Sequence, residues 1–375
     1  MRDDLSVWIE VDLGRVRSNV ENLKSLLAGG TKLLAVVKAN GYGHGDAAVA
    51  KAAVDGGADW LGVARVEEGV AVRESGVTKP ILVLAEPPHG AIPKAVESGL
   101  TLTVYTAPTA RAIARVGAST HRRFADVHVK VDTGMHRYGV APMALESLID
   151  TISGLTGIEI SGIWSHFAVA DDALNPYTLT QHQIFLDVLE ALGDKGSGWM
   201  KHMANSAAAI SFPDAHHDMV RTGISIYGIP PSDELSNEAS LLPAMTLKSR
   251  VGQLKRLAVG EAISYGQRYR MKHEGWVATI PCGYADGVRR ALSNVGEVLI
   301  RGKRYTISGT ITMDHLLVDV GDDEVDVGDE VVLLGSQGAE QITAQQIADK
   351  LGTIPYEVVC GMNARVQRIY VERGP

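Results

Sequence analysis

Eight short apolar runs, separated by amphipathic stretches, constrain this chain more than any other feature. They are Leu33–Val37, Trp60–Ala64, Ile81–Ala85, Leu100–Tyr105, Asp126–Val131, Ile158–Phe167, Lys201–Ala204 and Met219–Tyr227. Helical patterns lie between them, among them Val16–Leu27, Asp46–Gly56, Val66–Ser75 and Thr180–Leu192. Near-continuous apolar strands with helical crossovers read as a parallel sheet buried on both faces. Eight such units over roughly 220 residues match a (β/α)8 barrel. An open doubly wound sheet is the rival, and it carries a G-x-G-x-x-G after its first strand. None follows Val37.

From about residue 240 the pattern alternates instead. Arg250–Leu257, Trp276–Ile280, Glu297–Ile300, Tyr305–Ile311 and Glu330–Leu334 read as strands, with one helix opened by a capping box at Thr343–Gln346. The expected fold class is therefore α/β: an N-terminal barrel over residues 12–240 and a mostly-β domain over 241–375 that includes 1–11. The short strand Val7–Val11 could join either. Two domains also suit a chain of 375 residues.

Composition narrows the function. A net charge of −8 without a basic cluster argues against nucleic acid as a partner. The two cysteines, Cys282 and Cys360, form no disulfide framework and no CxxC pair, which fits a reducing cytoplasm. No apolar run is long enough to span a bilayer, and the N-terminus lacks a signal-peptide stretch. Twelve histidines show no metal-ligand spacing, so no metal is expected.

Lys38 follows the first barrel run directly. Strand C-termini open onto the active face of a barrel. Apolar walls there disfavour a charged amine, and a neutral amine is what Schiff-base chemistry needs. Many strand-end lysines merely reach for water. A plain turn, however, has no use for the Gly-spaced Tyr42 and His44 that follow.

Ala35-Val-Val-Lys-Ala-Asn-Gly-Tyr-Gly-His-Gly45 resembles the cofactor-lysine motif of the alanine racemases. The resemblance extends over nearly the whole chain and in family order. It runs through Trp8-Ile-Glu-Val-Asp-Leu13, Val131-Asp-Thr-Gly-Met-His-Arg137, Ser165-His-Phe167, Asn205-Ser-Ala207 and Met219-Val-Arg-Thr-Gly-Ile224. In the second domain it continues through Ile263-Ser-Tyr-Gly266, Gly283-Tyr-Ala-Asp-Gly287, Met313-Asp314 and Tyr356-Glu357.

The resemblance implies pyridoxal 5′-phosphate (PLP) on Lys38 and a two-base racemisation of L- and D-alanine. Lys38 serves one face of Cα and Tyr265 the other. It implies a phosphate held by Tyr42, Ser206, Tyr356 and the backbone of Gly223 and Ile224. Leu84 packs behind the ring. Arg221 faces the pyridine nitrogen with His166 supporting it. As a permanent cation, Arg221 disfavours protonation there and weakens the ring as an electron sink. Arg137 contacts the cofactor's phenolic oxygen and the substrate carboxylate, while Met313 and Tyr284 line the substrate end. Lys130 aligns with a lysine often carbamylated in the family. A homodimer sharing its sites is implied, as is D-alanine supply for peptidoglycan. The chain departs from the family pattern at Thr312, Gln367 and His136. Three other readings stay open: a racemase of serine or basic amino acids, a non-catalytic PLP carrier, and a related decarboxylase. Ile263-Ser-Tyr-Gly266 argues against the carrier. The decarboxylase should show a cysteine motif that Val359-Cys360-Gly361 only faintly echoes.

Overall fold

The computed structural model describes residues 4–120, 124–235 and 238–373. The chain divides into two compact units, residues 14–41 with 45–242, and residues 1–13, 42–44 and 243–374. Strands in chain order are β1 (Val7–Asp12), β2 (Lys32–Val36), β3 (Trp60–Val63), β4 (Ile81–Val83), β5 (Thr101–Val104), β6 (Ala125–Lys130), β7 (Ile158–Trp164), β8 (Met200–His202) and β9 (Met219–Thr222).

In the first unit, β2 to β9 form one eight-stranded parallel sheet in the order β8-β7-β6-β5-β4-β3-β2-β9. Backbone bonds from Asp218 N to Lys201 O (3.0 Å) and from Arg221 N to Ala204 O (2.9 Å) join its two end strands, so the barrel nearly closes. Leu33, Leu34, Ala35 and Val37 are fully buried, as are Leu61, Val63, Leu82, Leu102, Val127 and Val129. Burying each leucine or valine contributes about 1.5–3 kcal/mol, which is why these runs form interior strands. All eight expected strands are present. Each ends one or more residues before its apolar run, most of all β7, which stops at Trp164, and β9, which stops at Thr222, where a short 3-10 turn, Ile224–Tyr227, takes over.

In the second unit β1 pairs antiparallel with Met245–Arg250 and parallel with Gln367–Val371. That mixed sheet continues through Glu330–Gln337 to Glu297–Ile300 and Lys303–Thr306. A three-stranded sheet is built from Gln253–Leu257, Gly275–Ile280 and Leu316–Gly321. Leu316, Val318 and Val320 are buried while Leu317 and Asp319 are not, the period of two of a sheet with one covered face. The expected strand over 250–257 is in fact the end of one strand and the whole of another, broken at Val251-Gly252. The capping box at Thr343 opens Ala344–Leu351 as expected. A second helix, Pro355–Cys360, was not expected, because its six residues are too few to show a helical period.

Candidate active site

Lys38 stands one residue past Val37 at the C-terminal end of β2 and is half-buried. The backbone then turns left-handed through Ala39 (φ 53°), Asn40 (φ 54°) and Gly41 (φ 57°). Left-handed turns cost L-residues free energy, so something must hold this one. Glu68 does: one carboxylate oxygen accepts from Ala39 N (2.7 Å), the other from Ala64 N (2.8 Å) and Arg65 N (3.0 Å).

Arg221 on β9 is buried. Its Nη1 donates to His202 Nδ1 (2.8 Å). Its Nη2 donates to Ser165 O (2.8 Å), Met203 O (3.0 Å) and His166 Nδ1 (3.0 Å). The guanidinium also lies 4.6 Å from the centre of the Trp164 ring. Its Nε–H has no acceptor among the described residues. Burial lowers the Arg221 pKa to about 9, so the group is still a cation at neutral pH.

That donor dictates the tautomers around it. His202 must accept at Nδ1, so its Nε2 carries the proton and donates to His128 Nδ1 (2.8 Å). Burial, then the Arg221 charge, holds both rings below their ordinary pKa, His128 at about 3. His166 is depressed for the same two reasons, with Lys130, Arg137 and Lys38 adding to them. Every acceptor that Arg221 uses is therefore neutral.

Lys130 ends β6 almost fully buried, its ammonium 4.4 Å from the centre of the Trp164 ring. Burial first, then Arg221, Arg137 and Lys38 against Asp132, bring its pKa to about 7. The β6–β7 register shifts at Val127/His128, with Ser161 as the extra residue. Such bulges re-aim side chains beside sites. His128 contacts Trp60 on β3 and His202 on β8, so it points into the barrel lumen.

Ser206 opens the helix Ser206–Ser211, and its Oγ accepts from Gly223 N (2.8 Å). Ser206 and Ile224 are buried at the β8 and β9 ends. Leu84 follows β4 and is half-buried; Arg137 is exposed on the loop after β6.

In the second unit Tyr42 packs on Tyr356 with ring centroids 6.2 Å apart. Burial, then the two neighbours Tyr356 and Cys360, keep the Tyr42 phenol protonated. Tyr265 is 74% exposed, and Tyr284 and Met313 are exposed as well. The Tyr265 phenol has neither a hydrogen bond nor a charged partner among the described residues. Thr312 bonds within its own turn, donating to His315 O (2.9 Å).

Trp164, His128 and Glu68 were not among the expected site residues, and His202 entered only as a histidine to set aside. The one sequence signal was a polar residue within an apolar run, as at His128 and His202, and it does not tell lumen from exterior.

A nearly closed parallel barrel with a lysine, an arginine and neutral histidines at its strand ends defines a (β/α)8-barrel enzyme. Residues 11–231 match the family model for the alanine racemase N-terminal domain, and residues 244–370 that for its C-terminal domain. An alanine racemase of Symbiobacterium thermophilum is 46% identical over 97% of this chain and 96% of its own. The solved alanine racemase of Clostridium difficile 630 superposes with a TM-score of 0.93 at 39% identity, covering 98% of this chain and 96% of that one. That of Bacillus anthracis, solved with bound L-Ala-P, gives 0.93 at 36% identity over 99% and 96%. The chain belongs to the alanine racemase family.

Proposed function

We propose that the protein interconverts L- and D-alanine by moving a proton between the two faces of Cα, with PLP carried on Lys38. The observation that carries this reading is Arg221, a buried cation whose Nη groups are committed to neutral acceptors and whose Nε–H remains to be used. That donor set suits a ring nitrogen that accepts and is not protonated. PLP, when bound, supplies the electron-withdrawing ring that makes the substrate Cα–H acidic. Arg221 limits that withdrawal, which favours returning the proton over transamination.

Lys38 takes or returns the proton on one face and Tyr265 on the other. Tyr42, Ser206, Tyr356 and the backbone of Gly223 and Ile224 hold the phosphate with neutral donors. Leu84 supports the ring, and His166 steadies Arg221. Arg137 binds the substrate carboxylate, and Met313 and Tyr284 border the entry. A tyrosine is a poor base at its ordinary pKa of about 10 and needs a cationic or hydrogen-bonding neighbour. Tyr265 finds none within its own chain among the described residues, which supports a homodimer in which a second copy completes each site. Lys130, close to neutral at physiological pH, is suited to take up CO2 as a carbamate, releasing a proton and presenting an anion to Arg137. The product serves peptidoglycan synthesis in the cytoplasm.

The test is Cα–H exchange and inversion in D2O on alanine, serine, lysine and arginine. Alanine should exchange and invert fastest, and Lys38→Ala should abolish both. Racemisation surviving in Lys38→Ala would refute the reading. Faster inversion of serine or a basic amino acid would replace alanine as the substrate.

A further inference from the structure

We infer that Ser264, clasped by Thr310, is a positioning residue that aims Tyr265, and that a serine stands there because its hydroxyl anchors a turn whose backbone would suit glycine. The inference rests on Tyr265 acting as a base, as proposed above.

Ser264 has φ 64° and ψ 179°. That region is essentially reserved for glycine, and an L-residue persists in it only where the surroundings over-determine it. The surroundings here do so from two sides. Ser264 Oγ donates to Thr310 O, and Thr310 Oγ1 donates back to Tyr265 O at 2.8 Å. These two bonds form a reciprocal clasp across the peptide that leads into Tyr265. On the other side, Asn294 Oδ1 accepts from Gly309 N at 2.6 Å while its Nδ2 donates to Arg268 O at 3.3 Å. The turn from Ser264 to Arg268 is thus tied to Thr310 at its start and, at its end, to Asn294, which also holds Gly309.

The fit is close. A Cβ on Gly309 would lie 3.0 Å from Ile263 O and 3.1 Å from Ser264 Cβ. The turn itself is left-handed again at Gly266 (φ 72°) and Gln267 (φ 49°). Yet the side chain it presents, Tyr265, is largely exposed, so packing gives it little support. An exposed ring on a surface turn has no reason to demand a strained, doubly clasped backbone. A group that must return a proton to one face of a carbon does have one, because small misplacements are costly in such steps.

Strain and aim make opposite demands, and this separates the inference from a structural role. Ser264→Gly removes the unfavourable backbone geometry and the anchor together. The thermal midpoint should hold or rise, while kcat falls roughly tenfold to a hundredfold. The substrate enantiomer whose Cα–H faces Lys38 should still lose its hydrogen to D2O. The ratio of exchange without inversion to inversion should therefore rise for that enantiomer. Thr310→Val should raise the same ratio, and Thr310→Ser, which keeps the hydroxyl, should restore it. These measurements use the full-length holoenzyme, with Tyr265→Phe alongside. Full racemisation in Tyr265→Phe would overturn Tyr265 as a base, and this inference with it. Loss of activity in Tyr265→Phe together with an unchanged ratio in Ser264→Gly, or in Thr310→Val should Ser264→Gly not fold, would overturn the clasp alone.

Discussion

Replacing His128 by glutamine should flatten the acid sensitivity of the barrel. The His128 ring is fully buried between Trp60 and His202, with Arg221 one hydrogen bond further on. Burial, reinforced by the Arg221 charge, lowers its pKa from 6.5 to about 3. Because the folded value lies below the unfolded one, unfolding takes up a proton as the pH falls. The stability that comes from the neutral ring is complete above pH 6.5 and is lost as the pH falls toward 3. At about 1.4 kcal/mol per unit, this ring alone costs about 2 kcal/mol at pH ~5, approaching ~5 kcal/mol near pH 3. His128→Gln keeps an acceptor for His202 Nε2 and removes the titration. His202 and His166 stay in both proteins, so the difference between the two reports His128 together with its coupling to His202. Thermal unfolding would be followed from about pH 8 to about pH 5. Over that range the unsubstituted protein should lose about 2 kcal/mol more than the variant, or roughly 4–8 °C in midpoint for a unit of this size. Parallel losses in the two proteins would refute the claim that this ring is held neutral.

Three further outcomes are expected. Lys38→Ala should lose the visible absorbance of bound PLP along with racemisation, and an unchanged spectrum would argue for another attachment point. Gly43→Ala should destabilise the protein by about 3 kcal/mol or more, measured by denaturant midpoint. The added Cβ would sit 2.2 Å from Val359 O at a residue with φ 82°. A 13C-bicarbonate carbamate signal should appear by NMR near neutral pH and vanish in Lys130→Arg, because the neutral amine that CO2 attacks is present in quantity only near or above a pKa of about 7.

Much of the barrel was legible because β2 to β5 are buried on both faces, and burial on both faces writes a near-continuous apolar run. Lys38 was legible because its run ends at Val37 and the residues after it break every rule of a plain turn. The helix Pro355–Cys360 left no such trace, nor did the strand Gln367–Val371, whose partner β1 lies at the far end of the chain. The arrangement around Arg221 was partly legible. An arginine in an apolar strand stood out, but its acceptors are two backbone carbonyls and two histidines at or just past the ends of β7 and β8.

The sequence by itself determined the order of elements, the lysine at a strand end and the family, because periodicity and motif are local properties of a chain. Only the tertiary structure decided which rings are neutral, which tautomer each one carries and why Tyr265 sits on a strained turn. Those depend on burial and on donors brought in from distant strands, and a pKa or a forced backbone angle exists only once those neighbours are in place.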